Sequence, residues 1–238
     1  MRLDKVIEQD LKTTRKEMKR LFLMKKVLVD GTIELNPQRN VDSQIHEIQV
    51  NGKKLQTNHV YYLLNKPAGV VTARKDSKFQ TATELVKEEE RPADLYPVGR
   101  LDRDTTGLLF LTNNGQLGYD LLQPAAKVVK TYRATINEAV TLEDVKAFEK
   151  GIVFNGGVRC QPAYLEVVHS EPDNSEVLLM IKEGKFHQVK KMFLACGKKV
   201  TRLTRLAMGP LKLPEDLAEG EYRSLTLAEL QQLKSYFR

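Results

Sequence analysis

From residue 61 onward the chain is punctuated by short apolar runs of strand length, at 61–64, 107–111, 132–136 and 177–181. Each is too short for an ordinary helix, and they do not follow the regular strand–helix–strand rhythm of a parallel sheet. Helical patterns stand among them. In 188–196, Val189, Met192, Phe193 and Cys196 share one face and Gly197 supplies the stop. Strands and helices in this irregular order predict an α+β fold. At 238 residues the chain has room for one or two domains, and a hydrophobic content of 41% is enough for a core. No apolar stretch approaches the roughly 18 to 20 residues of a membrane span. The opening MRLDKVIEQD has acids and lacks the apolar centre of a secretory signal, so a cytoplasmic protein is expected. Cys160 and Cys196 are too few for a disulfide framework and are expected to be reduced thiols.

The first quarter of the chain has a different character. Residues 1–59 carry twelve Lys and Arg against eight Asp and Glu, a net +4 out of the +7 of the whole chain. Such a bias favours a polyanionic partner. Leu3, Val6, Ile7 and Leu11 fall on one helical face. Thr14 and Glu17 have the spacing of a capping box, opening a second helix with Met18, Leu21 and Phe22 on its apolar side. Arg15, Lys16, Lys19 and Arg20 lie on its flanks and far side. They fit a phosphate-binding face as well as a plainly solvated one. Asp30-Gly31 and Asn51-Gly52 mark turns after strands at 27–29 and 48–50. The polar run 56–59 is read as a mobile linker, dividing the chain into domains 1–58 and 59–238.

Three segments carry candidate chemistry. PVGRLDRDTTGLLFLTNNG (97–115) is a polar loop feeding a buried strand, with Asp102 and Asp104 two residues apart between Arg100 and Arg103. Loops set on rigid strands often hold reactive groups, yet the same charges also fit a set that pairs and caps the strand. KTY (130–132) opens another strand, where a lone tyrosine fits ordinary packing. IKEGKFHQVKKM (181–192) ends a strand and starts a helix near His187. His187 reads as a helix-start hydrogen bonder, and on composition Lys190 and Lys191 read as surface lysines. His46, His59 and His169 show no grouping in the sequence.

Two resemblances join these pieces. MRLDK (1–5), the capped Thr14-Arg15 helix and the strand–turn 27–31 resemble an S4 RNA-binding domain, although Met24-Lys25-Lys26 stands where that family usually has a glycine before the strand. The remainder resembles the pseudouridine synthases of the small-subunit type, the RsuA family. LNKPAG (64–69), GRLD with DTTGLL (99–109), KTY (130–132), EGKFHQVK (183–190), LTR (203–205) and GEYRSLT (220–226) all match in order. The resemblance implies a catalytic domain built on a mixed, mainly antiparallel sheet with flanking helices.

It also implies roles, and a chemistry of one carboxylate, which leaves Asp104 as a loop cap. Asp102 would be the carboxylate that acts while the uridine N–C bond breaks and the base rejoins through C5. Either adding to the sugar or removing a sugar proton needs the ionised form, which a nearby cation favours. That cation falls on Lys190, where many members have arginine, so the pairing geometry would differ. Tyr132 would stack on the base and take the C5 proton, directly or through a water. Ile181 would pack beneath Tyr132, and Arg100 would sit beside Asp102 and help hold the flipped nucleotide. Arg15, Lys16, Lys19 and Arg20 would hold phosphates. The resemblance implies no metal and no cofactor, a monomer, and as partner 16S ribosomal RNA or the assembling small ribosomal subunit, because HQVKKM resembles the small-subunit branch. The alternatives are a 23S RNA enzyme of the same family, a non-catalytic RNA-binding assembly factor, and a glycoside hydrolase using Asp102 with Asp104. The hydrolase lacks any signalled aromatic sugar cleft, and the chain has no Trp.

Overall fold

The computed structural model describes residues 1–154 and 156–237. Two helices, α1 (Leu3–Leu11) and α2 (Arg15–Leu23), open the chain. They are followed by β1 (Val27–Val29), β2 (Thr32–Ile33), β3 (Ile48–Val50) and β4 (Lys53–Lys54). The four strands form a small antiparallel sheet in the order β2-β1-β3-β4. Thr14 and Glu17 make the full capping box at the start of α2. Asp30 and Gly31 both take positive φ, 52° and 74°, the backbone that matches a two-residue hairpin to strand twist. Lys25 takes the left-handed conformation (φ 56°) just before β1, where a glycine would be at ease. Leu3, Val6, Ile7, Phe22, Val27, Val29, Ile48 and Val50 close this module around a core of its own.

The larger part is built on a nine-stranded mixed sheet. Its strands are β5 (Tyr61–Lys66), β6 (Tyr96–Val98), β7 (Thr106–Thr112), β8 (Lys130–Ile136), β9 (Tyr164–Glu171), β10 (Asn174–Ile181), β11 (Val200–Met208), β12 (Leu211–Lys212) and β13 (Tyr222–Ser224). The main order is β13-β5-β7-β11-β8-β10-β9, with β6 also on β7 and β12 on β11. Only β7 and β11 pair in parallel; the other pairs are antiparallel. Leu109 and Leu111 of β7 enter one core, Leu108 and Phe110 the other. A strand covered on both faces cannot alternate apolar with polar residues, which explains the continuous apolar run. Phe148 of α4 (Leu142–Lys150) and Val189, Met192 and Phe193 of α5 (Gln188–Ala195) pack in the first core. Leu117 and Leu121 of α3 (Gly115–Leu122) and Leu230 of α6 (Leu227–Gln232) pack in the second. The α+β architecture read from the sequence is therefore the one observed.

The polar run 56–59 is tied down, which corrects its reading as a mobile linker. Thr57 and Ser43 exchange hydrogen bonds, and Gln44 Nε2 donates to the His59 carbonyl at 2.8 Å. His59 is buried with Nδ1 2.6 Å from Asp42 Oδ2, and the Tyr61 hydroxyl donates to the same oxygen. Asn114 Nδ2 donates in turn to the Tyr61 oxygen at 3.0 Å. His46 also meets this turn, accepting at Nδ1 from the Asp42 amide at 3.2 Å, so His46 and His59 group around one aspartate after all. The sequence hid this because Asp42 is distant in the chain from His59 and Asn114. Ile45 enters the core of Leu230, Leu233 and Phe237, and Lys234 Nζ lies 2.8 Å from Asp30 Oδ2.

Candidate active site

The loop 99–105 leaves β6 and enters β7. Its course is held from several directions. The Thr72 hydroxyl donates to the Leu101 carbonyl at 2.8 Å and accepts from the Leu101 amide at 3.2 Å. The Gly69 amide donates to the Arg103 carbonyl at 2.8 Å. Lys66, wholly buried at the end of β5, donates to the carbonyls of Pro67, Arg103 and Thr105 at 2.9, 3.2 and 2.8 Å. Burial pulls this lysine down to about 8, with the nearby charges of Asp104 and Asp102 opposing the shift. Three donors on one ammonium thus replace the water that three loop carbonyls would otherwise need.

Gly107 anchors the loop's far end. It faces Arg205 across the parallel β7–β11 pair, and a Cβ there would stand 2.3 Å from the Arg205 carbonyl oxygen. Its φ of 99° also excludes an ordinary side chain. Arg205 is itself buried and donates from Nε to the Leu108 carbonyl at 2.8 Å.

Held this way, the loop presents Asp102 partly exposed. Lys190 Nζ, from α5, lies 3.0 Å from Asp102 Oδ2 and 2.6 Å from Asp104 Oδ1. Partial burial alone would lower Lys190, but the two carboxylates outweigh it and hold the ammonium above its ordinary value. Asp104 is held below the usual carboxylate range, chiefly by its hydrogen bond from Lys190. Asp104 is thus an ion-pair partner and Lys190 is no free surface lysine. The pairing of Lys190 with Asp102 is the one the resemblance implies, whereas the reading of Asp104 as a loop cap missed its bond from Lys190, 86 residues away. His187 is corrected too. It takes the left-handed backbone (φ 52°) at the start of α5 and makes no side-chain cap bond. Its Nε2 instead lies 3.5 Å from Asp102 Oδ1.

Residues 60–195, more than half of the chain, match the RNA pseudouridylate synthase family. The chain belongs to that family. It is 40% identical to the uncharacterized RNA pseudouridine synthase YtzG of Bacillus subtilis over 98% of each chain. It is also 40% identical to ribosomal small subunit pseudouridine synthase A of Vibrio cholerae, over 97% of this chain and 98% of that one. A crystal structure of a pseudouridylate synthase superposes with a TM-score of 0.68 at 35% identity, covering 98% of this chain and 99% of the other. This chain is therefore an RNA pseudouridine synthase, an isomerase.

In this synthase the remaining candidate residues are spread over three elements and the loop. Tyr132 of β8 lies across β11 from Gly107, through the register Gly107–Arg205–Tyr132. That is two strand spacings, on the order of 10 Å. Tyr132 pairs with Leu179, and Ile181 is its diagonal neighbour on the same face and in the same core. Among the described residues the Tyr132 hydroxyl makes no hydrogen bond. Arg100 is exposed and, among the described residues, forms no ion pair with Asp102. Arg15, Lys16, Lys19 and Arg20 all lie exposed on α2, none paired with an acid among the described residues. Lys66 and Thr72 were missed in the sequence. The legible trace of Lys66 is a charge closing a strand that is apolar up to Asn65, directly before a proline.

Proposed function

We propose that this synthase isomerises one uridine of 16S ribosomal RNA, with Asp102 as its catalytic carboxylate. The observation that carries this reading is the Lys190 ammonium shared by Asp102 and Asp104 over a loop whose backbone is clamped from beneath. Such a carboxylate is oriented without reorganisation during reaction, which is what stabilising charge at a sugar carbon requires. Asp102 assists departure of the base from the sugar, the base turns within the site, and C5 replaces nitrogen on the sugar. Tyr132, supported by Ile181, stacks on the base, and it, or a water it orients, takes the C5 proton while N1, released from the sugar, ends carrying a proton. Lys190 holds Asp102 in place throughout, and Arg100 reaches the RNA from the loop's open side.

The target must leave its helix, which costs a few kcal/mol. Residues 1–58, read as an S4-type RNA-binding domain, offset that cost with phosphate contacts from Arg15, Lys16, Lys19 and Arg20, and residues 59–238 perform the chemistry. The small-subunit substrate is favoured by the name of the Vibrio cholerae relative and by the HQVKKM form of the segment bearing Lys190. The enzyme is read as a cytoplasmic monomer.

The test is pseudouridine mapping of 16S and 23S RNA, free and in assembling particles, after incubation with the protein or with its Asp102→Asn variant. One new position in 16S RNA, absent with the variant, is the expected result. A new position in 23S RNA overturns the substrate. Modification that persists with Asp102→Asn overturns the catalytic residue.

A further inference from the structure

Of the eight phenylalanines in the chain, six are buried: Phe22, Phe110, Phe148, Phe154, Phe193 and Phe237. The other two, Phe79 and Phe186, are 42% and 69% exposed. Isolated exposed apolar residues are ordinary on protein surfaces. These two differ in where they stand. The Phe186 ring stacks on His187 with centroids 3.8 Å apart, and His187 Nε2 lies 3.5 Å from Asp102. Phe79 carries over its ring, at 4.4 Å, the guanidinium of Arg103, the residue after Asp102. Both exposed phenylalanines therefore sit one contact away from the carboxylate or its chain neighbour, and they reach it from two separate segments.

Each ring also has a cation. Lys191 Nζ lies 4.9 Å from the Phe186 centroid, as Arg103 does at 4.4 Å from that of Phe79. The exposed tyrosines Tyr119 and Tyr164 have a hydroxyl that belongs in water, but a phenylalanine has no polar end to justify exposure. Phe79 is moreover held by its backbone. Its amide donates to Asp76 Oδ1 at 3.0 Å, which holds the backbone that carries the ring. A ring that keeps much of its surface in water beside a cation is the arrangement that binds single-stranded nucleic acid: the exposed part of the ring stacks a base and the cation meets the phosphate.

We propose that Phe186 and Phe79 are stacking platforms for unpaired nucleobases next to the target uridine, with Lys191 and Arg103 as their phosphate partners. A flipped uridine leaves its neighbours unstacked, and each platform would take the place of the departed base against one of them. The inference rests on the reading that the target sits at Asp102, but not on which ribosomal RNA supplies it.

Because the chain has no Trp, Phe186→Trp and Phe79→Trp each create a single fluorescent reporter. The probes are a nine-residue oligouridylate and an abasic ribose-phosphate chain of equal length and charge. Quenching by the oligouridylate that the abasic chain does not reproduce is the expected result for both variants. Phe186→Leu should weaken oligouridylate binding about tenfold, leave abasic binding near the wild-type value, and regain affinity as Phe186→Tyr. With ribosomal RNA the Leu variant should raise KM more than it lowers kcat. Equal response to both probes, or a Leu variant that binds oligouridylate as the wild type does, overturns the proposal. Base-specific quenching without any modification of 16S RNA would instead remove the substrate assignment and leave the platforms standing.

Discussion

Asp42 and Asp102 are both aspartates within reach of a histidine and a second strong partner, yet their surroundings are opposite. Asp42 is fully buried, and its carboxylate accepts from His59, Tyr61 and the Gln44 amide. Burial alone would raise it, but those hydrogen bonds outweigh the burial and hold it below the usual carboxylate range. Its donors all come from this chain, and no side of it is left for a reactant. Asp102 is partly open, has one ammonium at 3.0 Å, and sits on a loop whose backbone rather than whose carboxylate is saturated. A buried aspartate with its bonds complete fastens parts of a fold together. One held by its backbone and exposed at its carboxylate is available for chemistry.

The largest way to break this contrast is Asp102→Asn. It should lower kcat by at least about a thousandfold, some 4 kcal/mol of barrier, while thermal unfolding shifts little. Retained turnover would make Asp102 a second structural aspartate. Asp42→Asn should do the reverse, removing about 2 to 3 kcal/mol of stability in urea titrations with kcat kept in the folded fraction. The new amide nitrogen would face donors it cannot bond. Lys66→Met tests whether the clamp matters to the loop alone. Three carbonyls lose their donor, and we expect kcat to fall about tenfold, roughly 1.4 kcal/mol. The smallest effect concerns acid. Because Asp42 is depressed in the folded state, its stabilisation is present above the free value of about 3.9 and disappears as pH falls through the lower folded value. Stability measured between pH 6 and pH 3 should therefore drop less steeply for Asp42→Asn than for the wild type.

What could be read beforehand divides along the same line. The Asp30-Gly31 and Asn51-Gly52 turns and the Thr14–Glu17 cap were legible because their partners lie within a few residues. The run 107–111 was legible because burial on both faces admits only apolar residues. Asp102 drew notice as a charge in a polar loop before a buried strand, and family resemblance added its pairing with Lys190. The clamp by Lys66 was not legible, since its acceptors are backbone carbonyls, two of them 37 and 39 residues away. Any sequence offers the same carbonyls. The Asp42 cluster was hidden for a similar reason, because its members are 4, 17 and 19 residues from Asp42 and follow no period. Phe186 and His187 are neighbours in the chain, but their exposure is a property of the folded surface alone.

The parallel pairing of β7 with β11 has a consequence for the chain as it is made. β7 meets β5 on one edge and β6 along 110–112 of the other, both synthesised before it, but β11, which takes that second edge at Thr106 and Gly107, ends only at Met208. At ordinary elongation rates roughly 5 to 20 s separate the emergence of Asp102 from that of Met208. Throughout that interval the start of this edge, at Thr106 and Gly107, lacks its partner and is open to wrong pairing, while β6 already covers 110–112. Lys190 also arrives in that interval, so the Asp102–Lys190 pair cannot form until α5 has been made. The surroundings of Asp102 are therefore complete only after β11 and α5, both late in the chain, have been made.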